Sequence, residues 1–201
     1  MHSNIINDLF KGKDYTNIPI WFLRQAGRHI PEYYSIRSRA KNFIDFCLNT
    51  ELIVESTKLP LKYYNIDAAI VFSDILMIPW AMNRNVKFTK NIGPSMDPMI
   101  PNETKIVNNI NIHKSLKPLE NAIKTLRKEL PSSVSLIGFS GAPWTLACYM
   151  IEGQSSKDFI NTRTALWNYN KWFLELIQTL IIYIADKLEM QANAGANVLM
   201  I

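Results

Sequence analysis

The sequence is poor in cysteine, histidine and glycine, with 2, 3 and 7 of them among 201 residues. Cys47 and Cys148 lie far apart among apolar neighbours and form no CxxC pair. This excludes a disulfide framework and indicates buried free thiols in a reducing compartment. The histidines, His2, His29 and His113, do not stand at metal-ligand spacing from other ligand residues, which argues against a zinc site.

Other absences exclude further classes of protein. There is no Walker loop, GxGxxG or GxSxG pattern, so a nucleotide-binding or acyl-serine mechanism has no support. The net charge is +5, but the lysines are scattered and no nucleic-acid-binding motif accompanies them. The N-terminus has no long apolar stretch, and the most apolar segment, 172–185, is too short to span a bilayer. We therefore expect a cytoplasmic protein without a nucleic-acid or membrane partner.

What the sequence does contain is a series of short apolar segments separated by helical patterns. Four continuous apolar segments are typical of strands buried on both faces, at 18–23, 68–72, 134–139 and 197–201. Helical spacing predicts helices between them, at 50–64 with Thr50 as N-cap, 118–130, and 166–192, and the SSKD sequence at 155–158 resembles a capping box. Residues 83–112 predict an irregular segment with a short hairpin. The alternation of strand and helix predicts an α/β fold with a parallel sheet.

The first apolar segment leads into RQAGR, residues 24–28. In parallel α/β folds, functional groups lie on loops at the carboxyl ends of strands. Arg24 and Arg28 would present permanently charged donors suited to carboxylates or phosphates, and Gly27 would permit close approach of a ligand to the backbone. The alternative is a pair of surface arginines that bind nearby acids such as Glu32.

Two further candidates follow the second and third apolar segments. Asp74 comes after the second segment, before an apolar stretch. It is either a pocket carboxylate or an N-cap of the next helix, because Ser and Asp are common caps. Tyr149 lies about two turns into the helix after the third segment, and its alternative is a core tyrosine with a satisfied hydroxyl.

Taken together, these segments resemble the uroporphyrinogen decarboxylase family. The resemblance covers nearly the whole chain and lies in PIWFLRQAGRHIPEYYSIR, FIDFC, DAAIVFSDILMIP, IGFSGAPWTLACYMIEGQSSKDF and QANAGANVLMI. It implies a (β/α)8 barrel of the TIM type. Only the first part of the family's pattern is matched, so we expect residues 1–201 to be the N-terminal portion of one such domain, about half of the barrel, with the C-terminal half absent.

The resemblance also implies an activity and a site. Family members remove the four acetate carboxyls of uroporphyrinogen as CO2, giving coproporphyrinogen, without a cofactor and as homodimers. The residues that would bind the substrate are Arg24, Gln25, Ala26, Gly27, Arg28, Asp74 and Tyr149. The arginines would bind substrate carboxylates, Asp74 would accept hydrogen bonds from the pyrrole NH groups as the catalytic residue, and Tyr149 would contact an acetate.

Two alternatives to independent catalysis stay open at this point. One is a truncated, non-catalytic remnant, and the other is a tetrapyrrole-binding fragment that needs a separate C-terminal half. We expect that the 201-residue chain alone is not a competent decarboxylase. Related methyltransferases share the barrel but bind zinc through histidine and cysteine, and RQAGR together with the lack of those ligands separates this sequence from them.

Overall fold

The computed structural model describes residues 4–14, 17–89, 93–168 and 171–201. These residues fall into two compact units. Unit 1 takes the described residues of Met1–Ser73, Lys117–Phe139 and Leu188–Met200, and unit 2 takes Asp74–Leu116, Ser140–Lys187 and Ile201.

The described elements alternate in the way the sequence predicts for an α/β chain. The helices are α1 (Ile5–Phe10), α2 (Glu32–Ser38), α3 (Phe43–Cys47), α4 (Thr50–Lys58), α5 (Met77–Ala81), α6 (Ile112–Ser115), α7 (Lys117–Glu129), α8 (Pro143–Glu152), α9 (Ile160–Trp167) and α10 (Lys171–Ala194), and a 3-10 turn at Leu59–Lys62 follows α4. The strands are β1 (Ala68–Ile70), β2 (Lys87–Thr89), β3 (Gly93–Ser95), β4 (Ser135–Phe139) and β5 (Val198–Met200).

Unit 1 contains a parallel sheet in the order β1-β4-β5. Ala68 pairs with Ser135 at one end of the first ladder, and Phe139 pairs with Met200 at one end of the second. The carboxyl ends of the three strands therefore lie at the same end of the sheet. This confirms the parallel α/β fold and the three strands expected within 68–72, 134–139 and 197–201.

The strand expected at 18–23 is wrong. These residues form irregular backbone, and their side chains are largely exposed, Ile18 at 80% and Leu23 at 70%. Only Ile20 joins the region of β1: its carbonyl accepts from the Asp67 amide at 2.8 Å, and its amide donates to the Asp67 carboxylate at 2.7 Å. An apolar segment becomes a strand only where it can pair with a free strand edge. Beyond Asp67, the outer edge of β1 is bonded to the side chain of Gln25, so residues 18–23 do not pair with it as a strand.

Several helix boundaries also differ from the sequence prediction. The side chain of Asn49, not that of Thr50, caps α4, since it accepts from the Leu52 amide at 3.1 Å. The Thr50 hydroxyl instead donates to the carbonyl of Pro118. The helix predicted at 166–192 is two helices, α9 and α10. The expected capping box is wrong as well, because α9 begins only at Ile160 with Phe159 as its N-cap residue, and the Thr162 amide of its first turn donates to Glu152 instead. Helix α7 and the β2-β3 hairpin are confirmed.

An aromatic cluster in unit 1 supports the segment that follows RQAGR. Its buried members are Ile30, Tyr33, Ile36, Ala40, Phe46, Leu52 and Leu59. Phe72 packs against it, with its ring centroid 4.5 Å from that of Phe46. Burying an aromatic or aliphatic side chain of this size stabilises the fold by about 1.5–3 kcal/mol. The cluster thus holds the residues on both sides of β1 and RQAGR in place.

Unit 2 contains the β2-β3 hairpin, α5, α6, α8, α9 and most of α10. Helix α8 begins with Pro143 in its first turn and ends at Gly153, whose φ of 76° lies in the left-handed region. The Gly153 carbonyl accepts from the Met96 amide at 2.7 Å, which ties the end of α8 to the residue after the hairpin. Cys148 in α8 is buried, as is Cys47 in unit 1, and the two are not joined in a disulfide. Within the described ranges, no helix is both long and apolar enough to cross a bilayer.

Candidate functional site

In unit 1, the RQAGR loop is attached to the edge of β1 by the side chain of Gln25. This residue is only 6% exposed. Its Nε2 donates to the Ala68 carbonyl at 2.9 Å, and its Oε1 accepts from the Ile70 amide at 3.0 Å. A buried carboxamide can satisfy a donor and an acceptor at once, so neither its own groups nor those of the strand are left unpaired. Ala26, the next residue, packs against the aromatic cluster.

The two arginines on either side of Gln25 are exposed. Neither guanidinium forms a hydrogen bond or ion pair with another residue in the part of the chain that the structure describes. Glu32, the acid considered as a partner, instead accepts a hydrogen bond from the Tyr63 hydroxyl. Arg24 and Arg28 are therefore available to an anion from solution.

Gly27 adopts an ordinary backbone conformation, and there is room around it for a Cβ atom. Its φ is not in the left-handed region, and an added Cβ would meet His29 no closer than 3.4 Å, an ordinary van der Waals distance. The described chain itself thus does not require glycine at this position. The predicted close approach of a ligand to its backbone stays a prediction.

A second buried glutamine, which the sequence analysis missed, is bonded to the carboxyl end of β4. The Gln191 Oε1 accepts from the Phe139 amide at 3.0 Å, and its Nε2 donates to the Phe139 carbonyl at 3.1 Å. A Cβ on Gly138 would lie 2.9 Å from the Gln191 Oε1. The glycine before the strand end is therefore explained by the close packing of this carboxamide.

The backbone between β1 and Asp74 is held within unit 1 by specific hydrogen bonds. The Val71 amide donates to the Ile137 carbonyl at 3.0 Å, and the Phe72 amide donates to the Thr57 hydroxyl at 2.9 Å. The hydroxyl of Ser73 is buried and has no hydrogen-bond partner within the described ranges. A buried polar group of this kind costs stability unless a ligand or water satisfies it.

In unit 2, Asp74 lies before α5 in a turn. Its Oδ1 accepts from the Leu76 amide at 2.8 Å, but α5 begins at Met77 with Leu76 in the N-cap position. The carboxylate thus forms a local Asx turn, bonding the amide two residues on, and does not occupy the N-cap position itself. Burial raises the pKa of Asp74, while the Leu76 amide and the positive charge of Lys187 act in the lowering direction.

Lys187 is the second residue that the sequence analysis missed. It lies on α10 and is 0% exposed. A signal was present in the sequence, because Lys187 falls at helical spacing from Tyr183 and Ile184 before it and Met190 after it, all buried. Its charge favours the ionised form of Asp74 against the opposing effect of burial.

Tyr149 lies in α8, partly buried. Its hydroxyl has no hydrogen bond to another residue in the described part of the chain, whereas its backbone carbonyl accepts from Gly153. The hydroxyl of Ser140, just after β4, is likewise buried and unpartnered among the described residues. These two hydroxyls give unit 2 polar groups that a ligand could satisfy.

The structure thus places the predicted site residues in two groups. Arg24, Gln25, Ala26, Gly27 and Arg28 are in unit 1, and Asp74 and Tyr149 are in unit 2. That the two groups converge on one cavity stays a prediction. Within the described ranges, no cluster of three or more His, Cys, Asp or Glu side chains could hold a metal ion.

Comparison with known proteins gives consistent matches over the whole chain. The family model described as uroporphyrinogen decarboxylase (URO-D) matches residues 1–201. The uroporphyrinogen decarboxylase of Maricaulis maris is 40% identical over 202 residues, which cover 96% of this chain and 59% of that protein. Those of Rickettsia rickettsii and Sinorhizobium fredii are 43% and 42% identical, and the matches cover 97% and 96% of this chain and 56% of each of those proteins. The chain therefore spans little more than half the length of these curated relatives.

A solved structure supports the fold. A methyltransferase from Methanosarcina mazei superimposes with a TM-score of 0.75 over 96% of this chain and 56% of that protein. Its sequence identity is 15%, so the likeness concerns the fold alone.

Proposed function

We propose, since this chain belongs to the uroporphyrinogen decarboxylase family, that it carries substrate-binding and catalytic residues for converting uroporphyrinogen into coproporphyrinogen. In this reaction each of four acetate side chains loses CO2, gains a proton and becomes a methyl group. The observation that carries the proposal is the pair of exposed guanidiniums on either side of the buried Gln25, since the substrate presents eight carboxylates.

Substrate binding would begin at the RQAGR loop. The forked donors of Arg24 and Arg28 suit bidentate, charge-assisted bonds to carboxylates, and neither guanidinium is bonded to another of the described residues. Backbone groups of Gln25, Ala26 and Gly27 would line the same part of the pocket. The Tyr149 hydroxyl would contact an acetate. Two such copies would form the homodimer that the family pattern suggests, in the cytoplasm.

Asp74 would act on the reacting ring. Protonation of a pyrrole carbon creates a cation conjugated to the acetate carbon, so the ring itself accepts the electron pair that the departing CO2 leaves behind. The Asp74 carboxylate would accept hydrogen bonds from pyrrole NH groups and stabilise this cation. The Leu76 amide and the charge of Lys187 support the role because both favour the ionised carboxylate in a buried place.

The size of the electrostatic stabilisation shows that Asp74 would not act alone. A fixed carboxylate about 4 Å from a unit positive charge contributes roughly 4 kcal/mol at an effective dielectric of about 20. Enzymes lower barriers by roughly 8–23 kcal/mol. Orientation by the arginines and exclusion of water would supply much of the remainder. An arginine is a poor candidate for the proton donor, because its pKa is above about 12.

The proposal is tested by incubating the chain, alone and together with the C-terminal part of one of its curated relatives, with uroporphyrinogen under reducing, anaerobic conditions and separating the oxidised products by chromatography. Formation of coproporphyrin that is lost in Asp74→Asn, but kept in Asp158→Asn at an exposed position, would support it. The second candidate, binding without turnover, is favoured by the chain spanning 56–59% of its relatives. Saturable binding of uroporphyrin with no product would select that candidate, and absence of both would reject the proposal.

A further inference from the structure

We infer that Gln25 is a positioning residue whose side-chain amide takes the place of a neighbouring strand along β1 and so determines where Arg24 and Arg28 project. The geometric part of the inference stands on unit 1 alone. Its consequence for ligand binding rests on the proposed function.

The hydrogen bonds of Gln25 reproduce those of a parallel strand. In a parallel ladder, the residue opposite position i donates to the carbonyl of i−1 and accepts from the amide of i+1. With Ala69 as position i, the Gln25 carboxamide does both: it donates to Ala68 at 2.9 Å and accepts from Ile70 at 3.0 Å. One side chain therefore satisfies the two edge groups that an adjoining peptide would satisfy.

The Gln25 side chain attaches the RQAGR loop to β1, because it is the buried residue between two exposed arginines. Gln25 is 6% exposed, whereas Arg24 and Arg28 are exposed and have no bond to another residue in the described ranges. The arginines themselves thus supply no contact that would fix the loop. Gln25 and Ala26 hold the backbone between them, together with the Gly27 carbonyl, which accepts from the Ile30 amide at 3.1 Å.

The chemistry of the contact requires an amide at this position. One terminal atom must donate to a carbonyl and the other must accept from an amide, at a residue that is only 6% exposed. A carboxylate of the same shape has no donor and would face the Ala68 carbonyl with a negative charge. Methionine has nearly the same volume and makes neither bond.

Hydrogen exchange of the full chain tests the geometric part, with the protection factor of the Ile70 amide as the measured quantity. In Gln25→Met this amide should exchange about fivefold faster, or more, at every pH, as expected for losing one typical intramolecular hydrogen bond. In Gln25→Glu the loss should depend on pH. Near pH 5 and below, a buried introduced carboxyl is protonated and can donate to Ala68 again, because burial raises its pKa. As rising pH ionises it, the carboxylate has no donor for the Ala68 carbonyl and repels it, so the side chain should withdraw from the strand edge and protection of the Ile70 amide should fall.

The pH dependence separates positioning from packing, because a simple packing defect does not reverse with pH. Gln178→Glu, at an exposed position of α10, is the matched control and should leave the Ile70 protection factor unchanged. If Gln25→Met does not fold, the comparison of Gln25→Glu at low and high pH still decides the question. Equal protection of Ile70 in the wild type and both variants would overturn the inference.

Uroporphyrin, an air-stable octacarboxylate, is the probe for the consequence. Relative to the wild type at the same pH, the uncharged Gln25→Met should bind it several-fold more weakly, and Gln25→Glu should do so at pH 7.5 and recover at low pH. If Arg28→Gln weakens binding while both Gln25 variants bind as the wild type does, positioning is refuted and the proposed function stands. If the wild type does not bind, the proposed function fails, and the exchange of the 24–28 amides decides the inference: faster exchange in the variants supports it, and unchanged exchange refutes it.

Discussion

Asp74→Asn separates the catalytic role of the carboxylate from its local structural role. Asparagine keeps an oxygen that can accept the 2.8 Å bond from the Leu76 amide, so the turn before α5 should persist. What the substitution removes is the negative charge. A pocket carboxylate and a turn residue therefore predict opposite results for rate and stability.

The expected loss of rate follows from the charge. In the chain completed by the C-terminal part of a curated relative, removing roughly 4 kcal/mol of stabilisation of a cation about 4 Å away should lower turnover by about a thousandfold. The loss should appear in kcat more than in KM, because the cation forms only during the reaction.

The expected change in stability has the opposite sign. Burial raises the pKa of Asp74 in the folded state above its ordinary value. The stability that Asp74 contributes is therefore fully present below the unfolded-state pKa and is lost as the pH rises through the folded-state pKa. Asparagine, which does not ionise, avoids that loss. At neutral pH the variant should unfold at the same temperature as the wild type or a higher one.

Two measurements check this prediction. Urea unfolding of wild type and variant from pH 3 to pH 8 should show a smaller acid-to-neutral decline in the variant, and turnover of uroporphyrinogen should be measured with Asp158→Asn as control. A variant that loses several degrees of melting temperature yet keeps its rate would refute the reasoning and identify Asp74 as a structural turn residue.

Three further substitutions have defined outcomes. Arg28→Gln should weaken binding of an octacarboxylate porphyrin more than that of a tetracarboxylate, whereas Arg163→Gln at an exposed position should affect neither; equal losses for both porphyrins would contradict carboxylate recognition. Lys187→Met should raise the pKa of Asp74 further, so the loss of stability with rising pH should extend to higher pH when unfolding is measured. A pH profile parallel to that of the wild type would exclude an effect of the Lys187 charge on Asp74. Gly138→Ala should cost about 1–3 kcal/mol in urea unfolding, because its methyl group would overlap the glutamine carboxamide that packs against it, and unchanged stability would show that the glutamine moves aside.

The sequence by itself determined the family, the fold class and most of the sheet. Continuous apolar segments marked β1, β4 and β5, because strands buried on both faces need no polar alternation, although β5 itself is only partly buried, with Leu199 40% exposed. The sequence also drew attention to RQAGR and Asp74, since both follow segments that its apolar pattern predicts as buried strands. These are local or periodic properties, which can be recognised before any long-range contact is known.

Only the tertiary structure decided what each candidate contacts. The segment 18–23 is as apolar as a strand, yet the part of the β1 edge beyond Asp67 is bonded to the side chain of Gln25. Lys187 has the charge of a surface residue, but the packing of α10 buries it completely, where its charge acts on Asp74. Both outcomes depend on partners more than 40 residues away in the chain. Composition and spacing do not specify such pairings, because which edge or face is free is settled only when the elements pack together.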